Sequence, residues 1–249
     1  MNDVIETRVD IPMDGGVADS FLYRPSGSGP WPGVLMLTDA IGIRPAKRGM
    51  AQRLAGLGYV VLMPNIFFRT GKPPIFSFAP DWSEPRTLQR FKEISAPLTP
   101  EVMSDDGRRY VEYLTGQGLA AGGRLGVVGY CMSGAYALHV AAACPERIAA
   151  AASFHGGFLC TEATDSPHTV LPRVKARLYF GHAVDDASAT EAMVARLEEA
   201  LKAWGGRYES EFYPGALHGW TVPGNAVYNE AQAERHFAKL RELCAAQLT

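Results

Sequence analysis

Missing from this chain are the runs of lysine and arginine that bind polyanions. Its 24 Lys and Arg residues nearly balance 26 Asp and Glu residues, for a formal net charge of −2, so neither nucleic acid nor an anionic membrane surface is an expected partner. Long apolar runs are missing too. The most hydrophobic stretch, residues 135–154, is broken by Pro145, Glu146 and Arg147, and the segment on either side is too short to span a bilayer. The opening Met1-Asn2-Asp3-Val4-Ile5-Glu6 holds acids where a secretory leader needs an apolar block, so no leader is expected. Cysteine is scarce. Cys131, Cys144, Cys160 and Cys244 show no paired spacing and no Cys-x-x-Cys, which argues against a disulfide framework and a cysteine zinc site; reduced thiols in a cytoplasm fit that usage. His155, His182 and His218 lack the two-His helical spacing of a metal site, and neither metal nor cofactor is expected. Internal repeats and low-complexity segments are absent as well.

What the chain does have is 249 residues, 47 % of them hydrophobic, enough for one sizeable core, and one domain over 1–249 is expected. Thr7 to Ile11 and Val17 to Arg24 alternate around Asp14-Gly15-Gly16, the pattern of an antiparallel hairpin. Gly33 to Leu37 is continuously apolar, as a strand buried on both faces requires. Met50, Leu54 and Leu57 recur at helical spacing until Gly58, and Tyr59 to Met63 reads as the next strand. The cycle continues with strands at Arg124 to Val128, Ile148 to Phe154, Ala176 to Gly181 and Tyr208 to Tyr213. Helices are expected at Gly134 to Ala143, Thr190 to Trp204 and Glu230 to Leu248. Strands alternating with helices predict an α/β fold, with a mostly parallel sheet of about eight strands covered on both faces. One long excursion, Ile66 to Pro100, is rich in Pro, Phe and Arg and precedes a helix that Thr99-Pro100-Glu101 opens. It reads equally as a loop shaping a pocket or as a structural flap.

In Leu125-Gly126-Val127-Val128-Gly129-Tyr130-Cys131-Met132-Ser133-Gly134-Ala135, a strand, a nucleophile and a helix follow one another directly. A nucleophile at such an elbow sits in a strained turn, so the residues two before and two after it must be small. Gly129 and Ser133 meet that demand around Cys131. The helix behind the sulfur turns its N-terminal N–H groups and positive dipole end toward it, which makes the Met132 N–H a natural oxyanion donor. Ser133 is the competing nucleophile, disfavoured because it falls on the helix side of the turn. The other three cysteines read as ordinary buried thiols.

This elbow resembles that of the dienelactone hydrolase family, cysteine-dependent members of the α/β-hydrolase superfamily, and the resemblance runs from about Val17 to Phe237. The family's usual Gly-x-Cys-x-Gly-Gly has Ser133 here in place of its first closing glycine, a change that keeps the position small. The resemblance implies a triad of Cys131, His218 on the Gly-rich loop Tyr213 to Trp220, and Asp186, with Asp185 as the competing acid. The order nucleophile, acid, histidine agrees with the superfamily. It further implies the Ala40 N–H as second oxyanion donor, and Asp39, one methylene shorter than the family's Glu, as a carboxylate contacting the resting thiol and opposing its ionisation.

The implied activity is hydrolysis of a small lactone or carboxylic ester through a thioacyl intermediate, the thiol needing His218 because a free thiol of pKa near ~8.5 is mostly protonated at neutral pH. Two other readings stand beside it. One is a general short-chain carboxylesterase or thioesterase; the other is a non-catalytic protein that binds a ligand or senses oxidants through Cys131. Family members clamp the substrate carboxylate with arginines, one shortly after the histidine, where this chain has Val222. Arg69 and Arg86 are candidate replacements. Tyr130, Phe68, Trp82 and Trp220, with Phe67, Phe76 and Phe78, are candidates for an apolar pocket. His139 is expected to be packed or capped, and His168 and His236 to lie on the surface.

Overall fold

The computed structural model describes residues 3–248. The chain opens with a hairpin of β1 (Val4–Met13) and β2 (Gly16–Pro25), whose register runs without a break from Val4 opposite Pro25 to Met13 opposite Gly16. Asp14-Gly15 makes the turn, with Gly15 at φ +84°, a conformation that glycine adopts without strain. Then follow β3 (Trp31–Leu37), α1 (Pro45–Gly56), β4 (Val60–Met63), α2 (Pro85–Ser95), α3 (Pro100–Gly116), β5 (Ala120–Tyr130), α4 (Ser133–Ala143), β6 (Ile148–Phe154), a 3₁₀ turn (Pro167–Arg173), β7 (Arg177–His182), α5 (Glu191–Trp204), β8 (Tyr208–Phe212) and α6 (Glu230–Gln247).

The eight strands form one sheet in the order β1-β2-β4-β3-β5-β6-β7-β8. β1 and β2 are antiparallel to their neighbours, and from β4 through β8 every pairing is parallel. Alternation along the central strands splits the core into two layers. Leu35, Leu37, Leu125 and Val127 face one layer, with Val111 and Leu114 of α3, Leu138 of α4 and Leu197 and Leu201 of α5. Val34, Met36, Val128 and Tyr130 face the other, with Met50 and Leu54 of α1 and Phe237, Leu240 and Leu243 of α6. No helix among the described residues is long and apolar enough to cross a membrane.

Two segments depart from the sequence-based expectation. The excursion from Ile66 contains α2, a helix that buries only Thr87 and Ile94; with so little core contact it leaves almost no apolar periodicity to read. β5 begins at Ala120, upstream of Arg124, and runs through Gly122 and Gly123, both at positive φ. Ala120 pairs with Trp31 and Leu125 with Gly33, so the two glycines lie in an irregularity between those pairings, where their tolerance of positive φ lets the strand bulge. The helix after Thr99 forms as expected, the Thr99 hydroxyl accepting from the Val102 N–H at 3.3 Å.

Parallel strands side by side bring the loops after β3, β5, β6, β7 and β8 to one edge of the sheet, where open α/β sheets place their sites. Backbone strain collects there too. Cys131 (φ 57°), His155 (φ 42°) and Asp185 (φ 51°) follow β5, β6 and β7, a conformation costly for any residue with a Cβ.

Candidate active site

Cys131 stands where β5 turns into α4. A Cβ on Gly129 would lie 1.9 Å from the Ser133 carbonyl oxygen, so only glycine lets the chain fold back so tightly. Ser133 is fully buried and donates its hydroxyl to the Thr38 carbonyl, which ties the elbow to the loop after β3 and removes it as a nucleophile. The Cys131 N–H is shared between the Phe154 carbonyl and Nδ1 of His155, each at 3.1 Å.

His218 reaches the elbow from the loop after β8. Its Nε2 lies 3.1 Å from Cys131 Sγ and its Nδ1 2.6 Å from Asp186 Oδ2. The other carboxylate oxygen of Asp186 accepts from the N–H and hydroxyl of Ser188 at 2.8 and 2.6 Å, while Asp185 is exposed beside it. Burial disfavours charge on His218, but its hydrogen bonds to Asp186 and Cys131 outweigh burial and raise its pKa to about 10. Burial likewise opposes ionisation of Asp186, yet His218 and Ser188 hold it below the ordinary carboxylate value.

His155 has no counterpart among the site residues expected from sequence. It is buried, its Nε2 lies 2.9 Å from the Thr221 hydroxyl, and its ring is 5.1 Å from that of His218. Because Nδ1 accepts from Cys131, the proton belongs on Nε2, donated to Thr221. Burial, then the charge of His218, push its pKa well below the usual histidine value, so it is a neutral strut under the elbow. Its signal was positional: Phe154-His155-Gly156 ends the strand next to the elbow strand. Ser188, two residues past the acid, was legible in the same way.

The N–H groups of Met132 and Ala40 donate to no partner among the described residues, and both residues line the cavity above Cys131. That cavity holds about 700 Å³. Trp82 lines it, together with Ile41, Phe91, Met103 and Phe158, none of the last four singled out in the sequence.

Other expected site residues fall elsewhere. Asp39 lines the cavity but is not a thiol contact: its oxygens accept from Arg44 at 2.6 and 2.8 Å and pair with Lys47 at 3.3 Å. Burial opposes its charge, but Lys47 and Arg44 hold it well below the usual carboxylate range. Lys47 is wholly buried, 3.9 Å from the centre of the Tyr130 ring, and burial brings its pKa down to about 8. Tyr130 and Trp220 are core residues, 1 % and 0 % exposed. Tyr130 bonds to His236 at 3.0 Å, and Trp220 packs on Tyr213 with centroids 4.8 Å apart. His236 is therefore not on the surface; it is fully buried, its Nδ1 donating to the Ala233 carbonyl at 2.8 Å.

Phe68 lies under Arg69, and Arg69 pairs with Asp106 at 2.6 Å. Arg86 lies over Phe78. Phe68, Arg69, Phe78 and Arg86 do not line the cavity. Val222 is fully buried in the core. His182 bonds to Ser210 at 3.0 Å, away from His155 and His218, and His139 is packed in α4 as expected. His168 is partly covered and bonds to Ser166 at 2.8 Å.

Comparison with known proteins converges on one group. A Methylorubrum extorquens protein named "putative carboxymethylenebutenolidase" is 26 % identical over 246 residues, covering 97 % of this chain and 81 % of its own. A Synechocystis protein of the same name is 24 % identical over 252 residues, covering 99 % and 98 %. The crystal structure of a "putative dienelactone hydrolase" from Klebsiella pneumoniae superposes with a TM-score of 0.87 at 24 % identity, covering 98 % of this chain and 99 % of that one. The profile of the dienelactone hydrolase family matches residues 18–248, and the chain belongs to that family.

Proposed function

We propose that the chain hydrolyses carboxylic esters or lactones by nucleophilic attack of Cys131, with His218 as proton carrier and Asp186 as the residue that holds the imidazole. The observation that carries this reading is the continuous line from Asp186 through His218 to Cys131, with contacts of 2.6 and 3.1 Å at the floor of a cavity. Asp186 accepts a hydrogen bond from Nδ1–H and so leaves the unprotonated Nε2 facing the sulfur, the tautomer a general base requires. The thiol proton passes to Nε2. The resulting thiolate attacks the ester carbonyl carbon, and the carbonyl oxygen takes up the electron pair in front of the Met132 and Ala40 amides.

When the tetrahedral intermediate collapses, the C–O bond breaks and His218 returns its proton to the departing alkoxide, leaving a thioester on Cys131. Water then gives a proton to His218 and attacks the thioester, and the acid product and the thiol are released. In a lactone the leaving alkoxide stays attached to the acyl group. His155 and the glycine at 129 act through position: both hold Cys131 at the bend. Family membership and curated relatives across nearly the whole chain agree with a hydrolase of esters or lactones.

The test pairs kinetics with mapping. Turnover of a chromogenic short-chain ester and of a cyclic enol lactone is compared in wild type and Cys131→Ala, and the site of iodoacetamide modification is located by peptide mapping. The expected outcome is loss of turnover in the variant and modification centred on Cys131 that substrate blocks. Full turnover without the thiol overturns the proposal.

A further inference from the structure

The wall beside Cys131 is apolar almost throughout. Ile41, Trp82, Phe91, Met103, Met132 and Phe158 face the cavity, and no lysine or arginine among the described residues does. Apart from the reacting groups, its charged side chains are two carboxylates, Asp39 and the exposed Asp165. The nearest cations are already engaged. Arg44 gives both terminal nitrogens to Asp39, and Lys47 is sealed behind the same carboxylate. An incoming carboxylate would have to displace Asp39 from both.

Most polar side chains of the wall are also committed; Thr161, which accepts from the Ala163 N–H at 3.3 Å, keeps only a neutral hydroxyl to offer. Ser166 accepts from the Thr161 N–H at 2.8 Å and bonds to His168. Ser188 donates to Asp186, and Asn225 donates to the Gly219 carbonyl at 3.3 Å. The two unpartnered amides at Met132 and Ala40 serve the single oxygen that becomes negative during reaction.

We infer that this cavity selects an ester or lactone whose acyl arm is uncharged and apolar, and discriminates against substrates that carry a second carboxylate. The inference rests on the reading of Cys131 as nucleophile and names the substrate class of that same site. The physical reason is desolvation: an ionised group removed from water without a partner loses more than the apolar wall returns, enough for roughly 100-fold in affinity. A methylene arm on the same wall gains with each buried carbon.

Two measurements test it. Calorimetry with the Cys131→Ala protein compares hexanamide with the monoamide of adipic acid at pH 7.5, ligands that share the amide at the reacting position and differ in a second, terminal carboxylate. Kinetics with the wild-type protein compares p-nitrophenyl hexanoate with the mono-p-nitrophenyl ester of adipic acid, which carries the extra carboxylate. The expected result is hexanamide binding at least about 30-fold more tightly than adipic monoamide, with kcat/KM favouring the neutral ester by a similar factor. Equal or tighter binding of adipic monoamide, or equal turnover of the charged ester, overturns the inference while leaving Cys131 as nucleophile intact. Hydrolysis of either ester that survives in Cys131→Ala overturns the nucleophile assignment instead. The binding ratio of the neutral and charged amides is read without turnover, so the two failures are distinguishable.

Discussion

Replacing Asp186 by asparagine isolates the contribution of proton placement, because the structure dictates which way the new amide must face. One oxygen of Asp186 accepts from the Ser188 N–H at 2.8 Å and its hydroxyl at 2.6 Å. A backbone N–H can only donate, so the asparagine carbonyl must turn toward Ser188, leaving its NH₂ against Nδ1 of His218. That NH₂ donates to Nδ1 and forces the imidazole proton onto Nε2, the atom 3.1 Å from Cys131 Sγ. A protonated neutral Nε2 cannot take the thiol proton. The expected loss in kcat/KM is about 10³–10⁴-fold, about 4–5.5 kcal/mol of barrier, as for the equivalent carboxylate-to-amide change in triad hydrolases.

The assay is steady-state hydrolysis of a short-chain p-nitrophenyl ester, with circular dichroism to verify that the variant folds. Asp185→Asn serves as control. Its side chain is exposed and takes no part in the line of hydrogen bonds, so its kcat/KM is expected to stay within about twofold of wild type. More than a tenth of wild-type kcat/KM in Asp186→Asn, or an equal loss in Asp185→Asn, would refute the reasoning.

Gly129→Ala puts a methyl 1.9 Å from the Ser133 carbonyl oxygen; the elbow must open, with about 1–3 kcal/mol of destabilisation, a drop of roughly 3–10 °C in Tm and a large loss of activity. Gly49→Ala, on the exposed side of α1 with nothing within 4 Å of the new methyl, is expected to raise Tm by a few degrees, about 1 kcal/mol of helix propensity; differential scanning fluorimetry reads both. For His218, imidazole NMR is expected to show titration near pH 10 in the wild type, and clearly lower in Cys131→Ala, which removes one of the two hydrogen bonds that outweigh burial. Since that folded value lies above the ordinary 6.5, charged His218 adds stability that is complete below pH 6.5 and is lost as pH rises through about 10. A wild-type His218 that titrates below 6.5 would contradict this.

The fold was largely legible because its signals are short-range. Buried parallel strands need unbroken apolar runs, and Gly33 to Leu37 and Ile148 to Ala152 show them. Gly129 and Ser133 flank Cys131 at the offsets that a tight bend demands, a restriction imposed by atoms only a few residues apart. Less visible were segments whose conformation depends on weak local preference, such as α2, which buries two side chains, and the Gly122-Gly123 start of β5.

Asp39 is the instructive error. Its neighbours Arg44 and Lys47 stand in plain sight, but whether its carboxylate turns to the thiol or to them depends on where the start of α1 sits over the sheet edge. Tyr130 misled because alternation reveals that a side chain leaves the strand on one face or the other, not which face meets the cavity; Trp220, in the loop after β8, and His236, in α6, misled because only tertiary packing seals them into the core. The chemistry of a strained cysteine could be read in sequence, since a handful of adjacent residues enforce it. Bringing His218 to that sulfur across 87 residues and Asp186 to His218 across 32, and closing an apolar cavity lined by no lysine or arginine among the described residues, required the packed sheet, because only its strand order sets distances between parts of the chain that share no local constraint.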